Sequence, residues 1–132
     1  MRYFFLPFFI IIFSFRSFAG NVDTVSIFSG SMHKKIKAVV IKPDSYQVEN
    51  KKFPVVYLLH GYDGWYSNWI IRVPELKKHV DTYQVIIVCP DGEKSSWYFD
   101  SPVDTAYRYE THIAHEVVKY IDDNYRTLAN KD

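Results

Sequence analysis

Residues 54–64 read Pro-Val-Val-Tyr-Leu-Leu-His-Gly-Tyr-Asp-Gly, an apolar run that ends in a loop with two glycines. A short, continuous run of β-formers is typical of a strand buried on both faces of a sheet, so residues 55–59 are predicted to be a central strand. Open α/β sheets bind ligands at the carboxyl ends of their strands, where residues 60–64 lie. Gly61 and Gly64 allow a sharp turn there and leave backbone N–H groups that could stabilise an oxyanion. An ordinary glycine turn explains the spacing equally well.

The sequence on either side predicts alternating strands and helices. Upstream, polar and apolar residues alternate over 22–28 and 35–41, which predicts two half-exposed strands joined as a hairpin at residues 29–31. Downstream, a helix is predicted over residues 74–83, with a proline in its first turn. The apolar residues 85–88 predict a second buried strand.

The last predicted helix has the clearest pattern in the chain. Asp104 or Thr105 can cap its start. One face carries Ile113, Val117, Tyr120, Ile121 and Asn124. Strand, helix, strand and helix in succession predict right-handed crossovers. The predicted fold class is therefore α/β: a mostly parallel sheet with helices on both faces, built as one domain.

Residues 1–19 have the pattern of a secretory signal peptide. A basic residue follows the initiator, residues 3–15 are apolar, and small residues lead to a cleavage site after Ala19. A membrane anchor is the alternative interpretation, but a span needs about 20 apolar residues, and Pro7 and Arg16 interrupt this stretch. The expected product is residues 20–132, secreted or periplasmic, with no stable membrane anchor once the leader is removed.

Charge and cysteine content argue against nucleic-acid binding and against an internal disulfide. The formal net charge is +1, and loss of Arg2 and Arg16 with the leader makes it −1. No lysine-rich or arginine-rich run remains, so nucleic-acid binding is not expected. The single cysteine, Cys89, follows an apolar run and is predicted to be an inert core thiol, so no internal disulfide can form.

Three later stretches occur in the order expected for one known family. They are Val-Cys-Pro-Asp-Gly at 88–92, Ser-Ser-Trp-Tyr-Phe-Asp-Ser-Pro at 95–102, and a helical segment at 107–127 that begins Tyr-Arg-Tyr-Glu-Thr. Together with residues 54–64 and Asn68-Trp69, they resemble the esterase family of α/β-hydrolases that includes S-formylglutathione hydrolase (esterase D), feruloyl and acetylxylan esterases, and mycolyltransferases. The resemblance spans residues 25–131 and implies an α/β-hydrolase-type fold.

The resemblance implies a serine esterase that uses neither metal nor cofactor. It assigns one oxyanion-hole donor, the backbone N–H of Tyr62, just after Gly61. In the family the nucleophilic serine lies in a Gly-x-Ser-x-Gly turn after the next strand, and the acid and histidine follow later. No such pentapeptide occurs in these 132 residues. The chain is therefore expected to be the N-terminal half of the domain, truncated before the nucleophile strand and inactive alone.

Several side chains are candidates for contact with an ester substrate, either a small molecule or one linked to a polysaccharide. Trp97, Tyr98 and Asp100 follow a strand and could line the acyl or alcohol side of a cleft, although a packed aromatic loop is an equally good interpretation. The resemblance implies that His60 braces its loop. Arg108 is expected to form an ion pair with Glu110.

Two other features have rival interpretations. His112 and His115 are three residues apart on the last helix, but they match no zinc motif and are expected to be a solvated pair. The tryptophans Trp65, Trp69 and Trp97 leave open a non-catalytic exported module that binds carbohydrate. Besides a serine esterase and a carbohydrate-binding module, the third possible reading is a truncated remnant without a function of its own.

Overall fold

The predicted hairpin forms one edge of the sheet. The computed structural model describes residues 21–130, so the predicted signal peptide, residues 1–19, lies outside the described residues. β1 (Val22–Ser29) and β2 (Lys34–Ile41) pair in antiparallel fashion over all eight residues of each strand. The predicted hairpin is confirmed, but β2 is not half-exposed, because residues 87–90 pair with residues 38–41 and all four of the latter are buried.

The four strands form one mixed sheet in the order β1-β2-β4-β3. β3 (Val55–Tyr57) and β4 (Ile86–Pro90) run parallel, as the predicted crossover requires. β1 with β2 and β2 with β4 are antiparallel pairs, so most pairings in the described part of the chain are antiparallel. The prediction of a mostly parallel sheet is not met there, because the hairpin reverses the chain direction before β2 joins β4.

β3 differs from the buried central strand that its apolar sequence predicted. It has only three residues, and Val56 at its middle is 41% exposed. Within residues 21–130, β3 is the last strand of the sheet, with β4 on one side. A continuous apolar run shows that a strand can be buried on both faces, but its neighbours decide whether it is.

Helices cover both faces of the sheet, as predicted. α1 (Asn68–Arg72) and α2 (Leu76–Tyr83) lie on one face, and α2 agrees with the helix predicted over 74–83. The core on that side joins α2 to β2 and β4 through Leu76, Val80, Val39, Ile41, Ile87 and Cys89. The intervening strand residues point the other way, because side chains alternate along a strand. Their core includes Ala38, Val40, Ile86 and Val88, which pack on Val117 and Ile121 of the C-terminal helix.

The C-terminal helix (residues 109–124) begins later than predicted. α3 (Tyr109–Thr111) continues through a π-helical segment (His112–Val117) into α4 (Val118–Asn124). Neither Asp104 nor Thr105 caps it, and Asp104 instead accepts the Ala106 N–H in a preceding turn. Asp100 takes the capping role: its carboxylate accepts the Thr111 N–H at 3.0 Å and the Thr111 hydroxyl at 2.5 Å. A cap supplied by a folded loop leaves no local sequence signal.

After this helix the chain returns to the outer edge of β3. Thr127 pairs with Phe53 in parallel fashion. The Phe53 N–H donates to the Arg126 carbonyl, and its carbonyl accepts the Leu128 N–H, both at 2.9 Å. The helix therefore crosses from β4 to the far side of β3.

Among residues 21–130, no helix combines the length and apolar character needed to cross a bilayer.

Candidate active site

Two loops meet at the carboxyl ends of the parallel strands β3 and β4. We name them the His60 loop (residues 60–64) and the Trp97 loop (residues 91–100). The Asp63 N–H donates to the Lys94 carbonyl at 2.9 Å, and the Lys94 ammonium lies 3.1 Å from Asp63 Oδ1. Because parallel strands bring their carboxyl ends to one edge of the sheet, the two loops form a common surface there.

His60 fastens the two loops together from a buried position. The backbone N–H of His60 donates to the Tyr98 hydroxyl at 3.0 Å, and the ring nitrogen Nε2 accepts the Gly92 N–H at 2.9 Å. With Nε2 as acceptor, the neutral ring carries its proton on Nδ1, which donates to the Gly61 carbonyl at 2.9 Å. Both ring nitrogens therefore hold the loops in place, the bracing role that the resemblance implied.

The predicted turn of the His60 loop is present, since the Gly64 N–H donates to the Gly61 carbonyl at 3.1 Å, but its glycines do not supply a left-handed conformation. No glycine among the described residues has a positive φ, and Asp63 takes the left-handed position of this loop with a φ of 58°. A Cβ on Gly64 would lie 2.7 Å from His60 Nδ1 and 2.9 Å from the Gly61 carbonyl oxygen. A Cβ on Gly61 would meet nothing within 4 Å. Space therefore requires glycine at 64 and not at 61.

The Tyr62 N–H is the donor that the resemblance assigned to an oxyanion hole. It donates no hydrogen bond to any residue of the described range, and neither does the Gly61 N–H. A cleft of about 110 Å³ opens beside it, lined by His60, Gly61, Tyr62, Glu93, Lys94, Trp97 and Tyr98. A backbone donor fixed on a braced loop suits a developing negative charge. The role of Tyr62 itself stays a prediction.

Of the three predicted substrate contacts, Trp97 and Tyr98 line this cleft. Trp97 is 70% exposed, and its ring stacks on that of Tyr62 with centroids 6.2 Å apart. Tyr98 is half-buried against His60, and burial raises the pKa of its hydroxyl to about 12. Gly92 makes room for this ring, since a Cβ there would overlap Tyr98 Cε1. Sequence reasoning missed this role of Gly92, because the Pro-Asp-Gly turn signal contains no information about a ring six residues later.

Asp100 lies outside the cleft. Its carboxylate caps the C-terminal helix, and the hydrogen bond from the Thr111 hydroxyl lowers its pKa. Arg108 Nη1 lies 4.0 Å from Asp100, so the predicted Arg108–Glu110 ion pair is not the one formed. The reason is a short antiparallel bridge between residues 100 and 108, which turns Arg108 toward the Trp97 loop.

A second cleft, of about 320 Å³, lies on the other side of His60 and Gly61 and is bounded by α1. Asn68 lines it, is buried, and has an Oδ1 with no hydrogen-bond partner among the described residues. In the sequence, Asn68 contributed only to the resemblance. Gly64, four residues earlier, lets α1 lie this close, since a Cβ on it would be 2.8 Å from Asn68 Nδ2.

The predicted solvated histidine pair is wrong for His112. This side chain is buried, and its Nδ1 lies 2.7 Å from Glu116 Oε2, while Glu116 Oε1 accepts the Ser31 N–H at 2.8 Å. His115 is exposed. The π-helical segment changes the 3.6-residue periodicity on which the prediction rested. In the described part of the chain, no three or more His, Cys, Asp or Glu side chains are arranged to hold a metal ion.

Burial and hydrogen bonding act in opposite directions on the pKa of His112 and on that of Glu116. Burial lowers the pKa of His112 below 6.5, although Glu116 favours its charged form. Burial opposes ionisation of Glu116, but hydrogen bonds from Ser29, His112 and the Ser31 N–H outweigh it and lower its pKa to about 2. The pair joins the C-terminal helix to the β1–β2 turn, so it couples protonation to the stability of the fold.

The free energy of unfolding is expected to fall as the pH drops below about 6.5. Because the pKa of His112 is lower in the folded state than in the unfolded chain, the unfolded chain binds the proton first. The contribution of Glu116 to stability is present above the ordinary pKa of its carboxyl group, 4.5, and is lost as the pH falls toward 2.

Urea unfolding at pH 7.5, 6.0 and 5.0 measures the effect of His112. His112→Gln should flatten the change between pH 7.5 and 5.0, whereas the exposed His115→Gln should not, and equal slopes in both variants would contradict the assignment.

The three tryptophans do not share one site. Trp97 lines the smaller cleft and Trp69 the larger one, while Trp65 lines neither. The Trp69 indole N–H donates to the Leu59 carbonyl at 3.2 Å, and that of Trp65 donates to Ser67 Oγ at 2.6 Å. A single row of exposed indoles is therefore not present. The exposed aromatic pair is Tyr62 with Trp97.

Known proteins that resemble this chain in sequence are esterases. The family described as Putative esterase matches residues 29–131. Esterase Rv1288 of Mycobacterium tuberculosis (strain ATCC 25618 / H37Rv) is 32% identical over 97 residues, which cover 70% of this chain and 21% of that protein. The acetyl esterase of Caldicellulosiruptor saccharolyticus is 31% identical over 86 residues, which cover 61% of this chain and 30% of that protein.

Solved structures show the same fold. A ferulic acid esterase superposes with a TM-score of 0.73 at 30% identity, covering 83% of this chain and 46% of that one. An S-formylglutathione hydrolase from Agrobacterium tumefaciens superposes with a TM-score of 0.72 at 18% identity, covering 84% of this chain and 46% of that one. The chain thus spans about half the length of these structures and less than a third of the curated relatives. With the family match extending over most of its residues, this chain belongs to that esterase family.

Proposed function

We propose that the protein is an exported serine carboxylesterase whose substrate is an ester carried by a polysaccharide. The observation that carries the proposal is the Tyr62 N–H, which donates to no other residue of the described range and sits on a braced loop at the end of β3. The family match and the esterase relatives support hydrolysis of an ester.

In the proposed reaction, a serine oxygen bonds to the ester carbonyl carbon while a histidine takes the serine proton. Negative charge develops on the carbonyl oxygen, where the Tyr62 N–H and a second donor would bind it. The bond to the alcohol then breaks, and the alcohol leaves with the proton from the histidine. Water releases the acid from the acyl-enzyme. The donor must be in place before the charge forms, and the bonds of His60 to Gly61 and Gly92 support that rigidity.

We assign the serine to a strand beside β3, reached after the C-terminal helix. The parallel pairing of Thr127 with Phe53 supports this, because it starts on the outer edge of β3. In the family that the chain resembles, the nucleophile strand follows the corresponding helix. No serine in the 132 residues has the glycine neighbours of a Gly-x-Ser-x-Gly turn, so we expect the chain alone to be inactive.

Export and substrate class rest on other observations. Residues 1–19 fit a secretory leader. Relatives with similar sequence include a ferulic acid esterase and an acetyl esterase, which supports an ester of a small carboxylic acid. The polysaccharide rests on the resemblance to feruloyl and acetylxylan esterases. A second candidate is a non-catalytic module that binds carbohydrate, and the exposed Tyr62–Trp97 pair favours it.

Hydrolysis of p-nitrophenyl acetate and labelling by a fluorophosphonate test the proposal. We expect the complete product of the reading frame to hydrolyse the ester and to be labelled on a serine that follows Thr127. The 132-residue chain, assayed in parallel, should do neither. Labelling of the shorter chain would contradict the assignment of the serine. Absence of both signals in the complete product would favour the binding module.

A further inference from the structure

Tyr62 and Trp97 form an exposed aromatic platform at the mouth of the smaller cleft. Their rings come from different loops and stack with planes 25° apart and centroids 6.2 Å apart. Tyr62 is 71% exposed and Trp97 is 70% exposed. Two large rings that share one open surface are typical of a binding site, because exposed apolar patches on soluble domains are usually small or functional.

The platform is held in place by its surroundings. The Asp63–Lys94 contacts join the two loops next to the rings. Trp97 and Tyr98 both have left-handed backbone conformations, with φ of 53° and 56°. Bulky residues rarely adopt such angles, and strained positions of this kind cluster at functional sites. The Tyr98 side chain is anchored through its hydroxyl on the His60 N–H, so the neighbouring Trp97 is presented outward from a fixed point.

The shape and exposure of the platform favour one kind of ligand. The cleft beside it has about 110 Å³, whereas pockets that enclose small molecules usually have about 300–1,000 Å³. An apolar acyl ring would gain most from burial, which this cleft does not provide. A sugar ring has one face of C–H groups that can stack on aromatic rings while its hydroxyls remain in water. Glu93 and Lys94 line the same cleft, and contacts with those hydroxyls would add to the ones that they already make with Tyr109 and Asp63.

We propose that Tyr62 and Trp97 form a subsite for a sugar ring of the carbohydrate that carries the ester. This inference rests on the proposed function for the position of the ester bond. It assigns the alcohol side of the substrate to the smaller cleft, because Tyr62, which carries the proposed oxyanion donor, lines this cleft and not the larger one.

Ligand-detected NMR titration of the full chain with xylotetraose and with cellotetraose tests the subsite. We expect saturation transfer to the sugar C–H protons, and a dissociation constant at least tenfold higher in Trp97→Ala and in Tyr62→Ala. Trp97→Phe should retain most of the affinity, since it keeps an aromatic face. The matched control is Trp65→Ala, an exposed tryptophan of the same region that lines neither cleft, which should stay within twofold of the unchanged chain.

Three outcomes would overturn the inference: no binding of either oligosaccharide, unchanged affinity in both alanine variants, or binding of free ferulate that depends on Trp97 and excludes the sugar. Binding needs no nucleophile, so the two proposals fail separately. Sugar binding without hydrolysis by the complete product would support the subsite and reject the esterase. Hydrolysis of short esters without sugar binding would support the esterase and reject the subsite.

Discussion

Replacing Tyr62 with proline is expected to lower kcat of the proposed complete esterase by about 10²–10³-fold, because it removes the N–H that we assign to the oxyanion hole. Proline has no backbone N–H, and the preceding residue is Gly61, which tolerates the restricted angles before proline. The Tyr62 N–H donates to no other residue in the range 21–130, so its loss should cost little stability. Steady-state hydrolysis of p-nitrophenyl acetate measures the effect, with thermal unfolding as the check on the fold.

Tyr62→Ala is the matched control for that variant. It keeps the backbone N–H and removes only the ring, which is 71% exposed. We expect kcat for a short ester without sugar to stay within about threefold of the unchanged enzyme, since catalysis depends on the donor and not on the side chain. If Tyr62→Pro kept full activity while remaining folded, the oxyanion donor would have to be another group.

Gly64→Ala is expected to destabilise the fold by about 2–3 kcal/mol, as overpacking of a tight site does. The added Cβ would lie 2.7 Å from His60 Nδ1, 2.8 Å from Asn68 Nδ2 and 2.9 Å from the Gly61 carbonyl oxygen. The His60 ring cannot move aside cheaply, because hydrogen bonds to Gly61 and Gly92 hold both of its nitrogens. Urea unfolding at pH 7.5 measures the loss, and displacement of the His60 loop should also lower the activity of the complete enzyme.

Gly61→Ala provides the comparison within the same loop. A Cβ there meets nothing within 4 Å, so its free energy of unfolding should change by no more than about 0.5 kcal/mol. A stability of Gly64→Ala equal to that of Gly61→Ala would mean that the close packing of His60 and Asn68 on residue 64 is not present in solution.

The elements whose residues interact mainly with near neighbours in the chain were predictable. Alternating polarity predicted the hairpin of β1 and β2, and the helix predicted over 74–83 corresponds to α2 (Leu76–Tyr83). The apolar residues 85–88 lie within or next to β4. Periodicity reports which face of an element is apolar, and that property is local.

The candidate site was predictable in part. Gly61, Tyr62, Trp97 and Tyr98 were assigned to loops after two neighbouring strands, and the structure brings these four residues to one cleft. Asp100 belonged to the same stretch of sequence, yet it caps the C-terminal helix instead. Nothing in the order of residues distinguishes the two fates, since a carboxylate in a loop can face a cleft or a helix end.

The sequence by itself determined the class of fold, the family, and the loops in which the candidate residues lie, because these depend on local periodicity and on the order of short motifs. Only the tertiary structure decided that β3 lies at the edge of the described sheet, that His112 is buried against Glu116, and that glycine is required at 64 for space. The edge of the sheet depends on pairing between strands distant in the chain. The other two features involve residues within four positions of each other, but the Ser31 N–H on Glu116 and the Gly92 N–H on His60 hold them from distant segments. Burial and close packing are therefore set by the neighbours as much as by the residue itself.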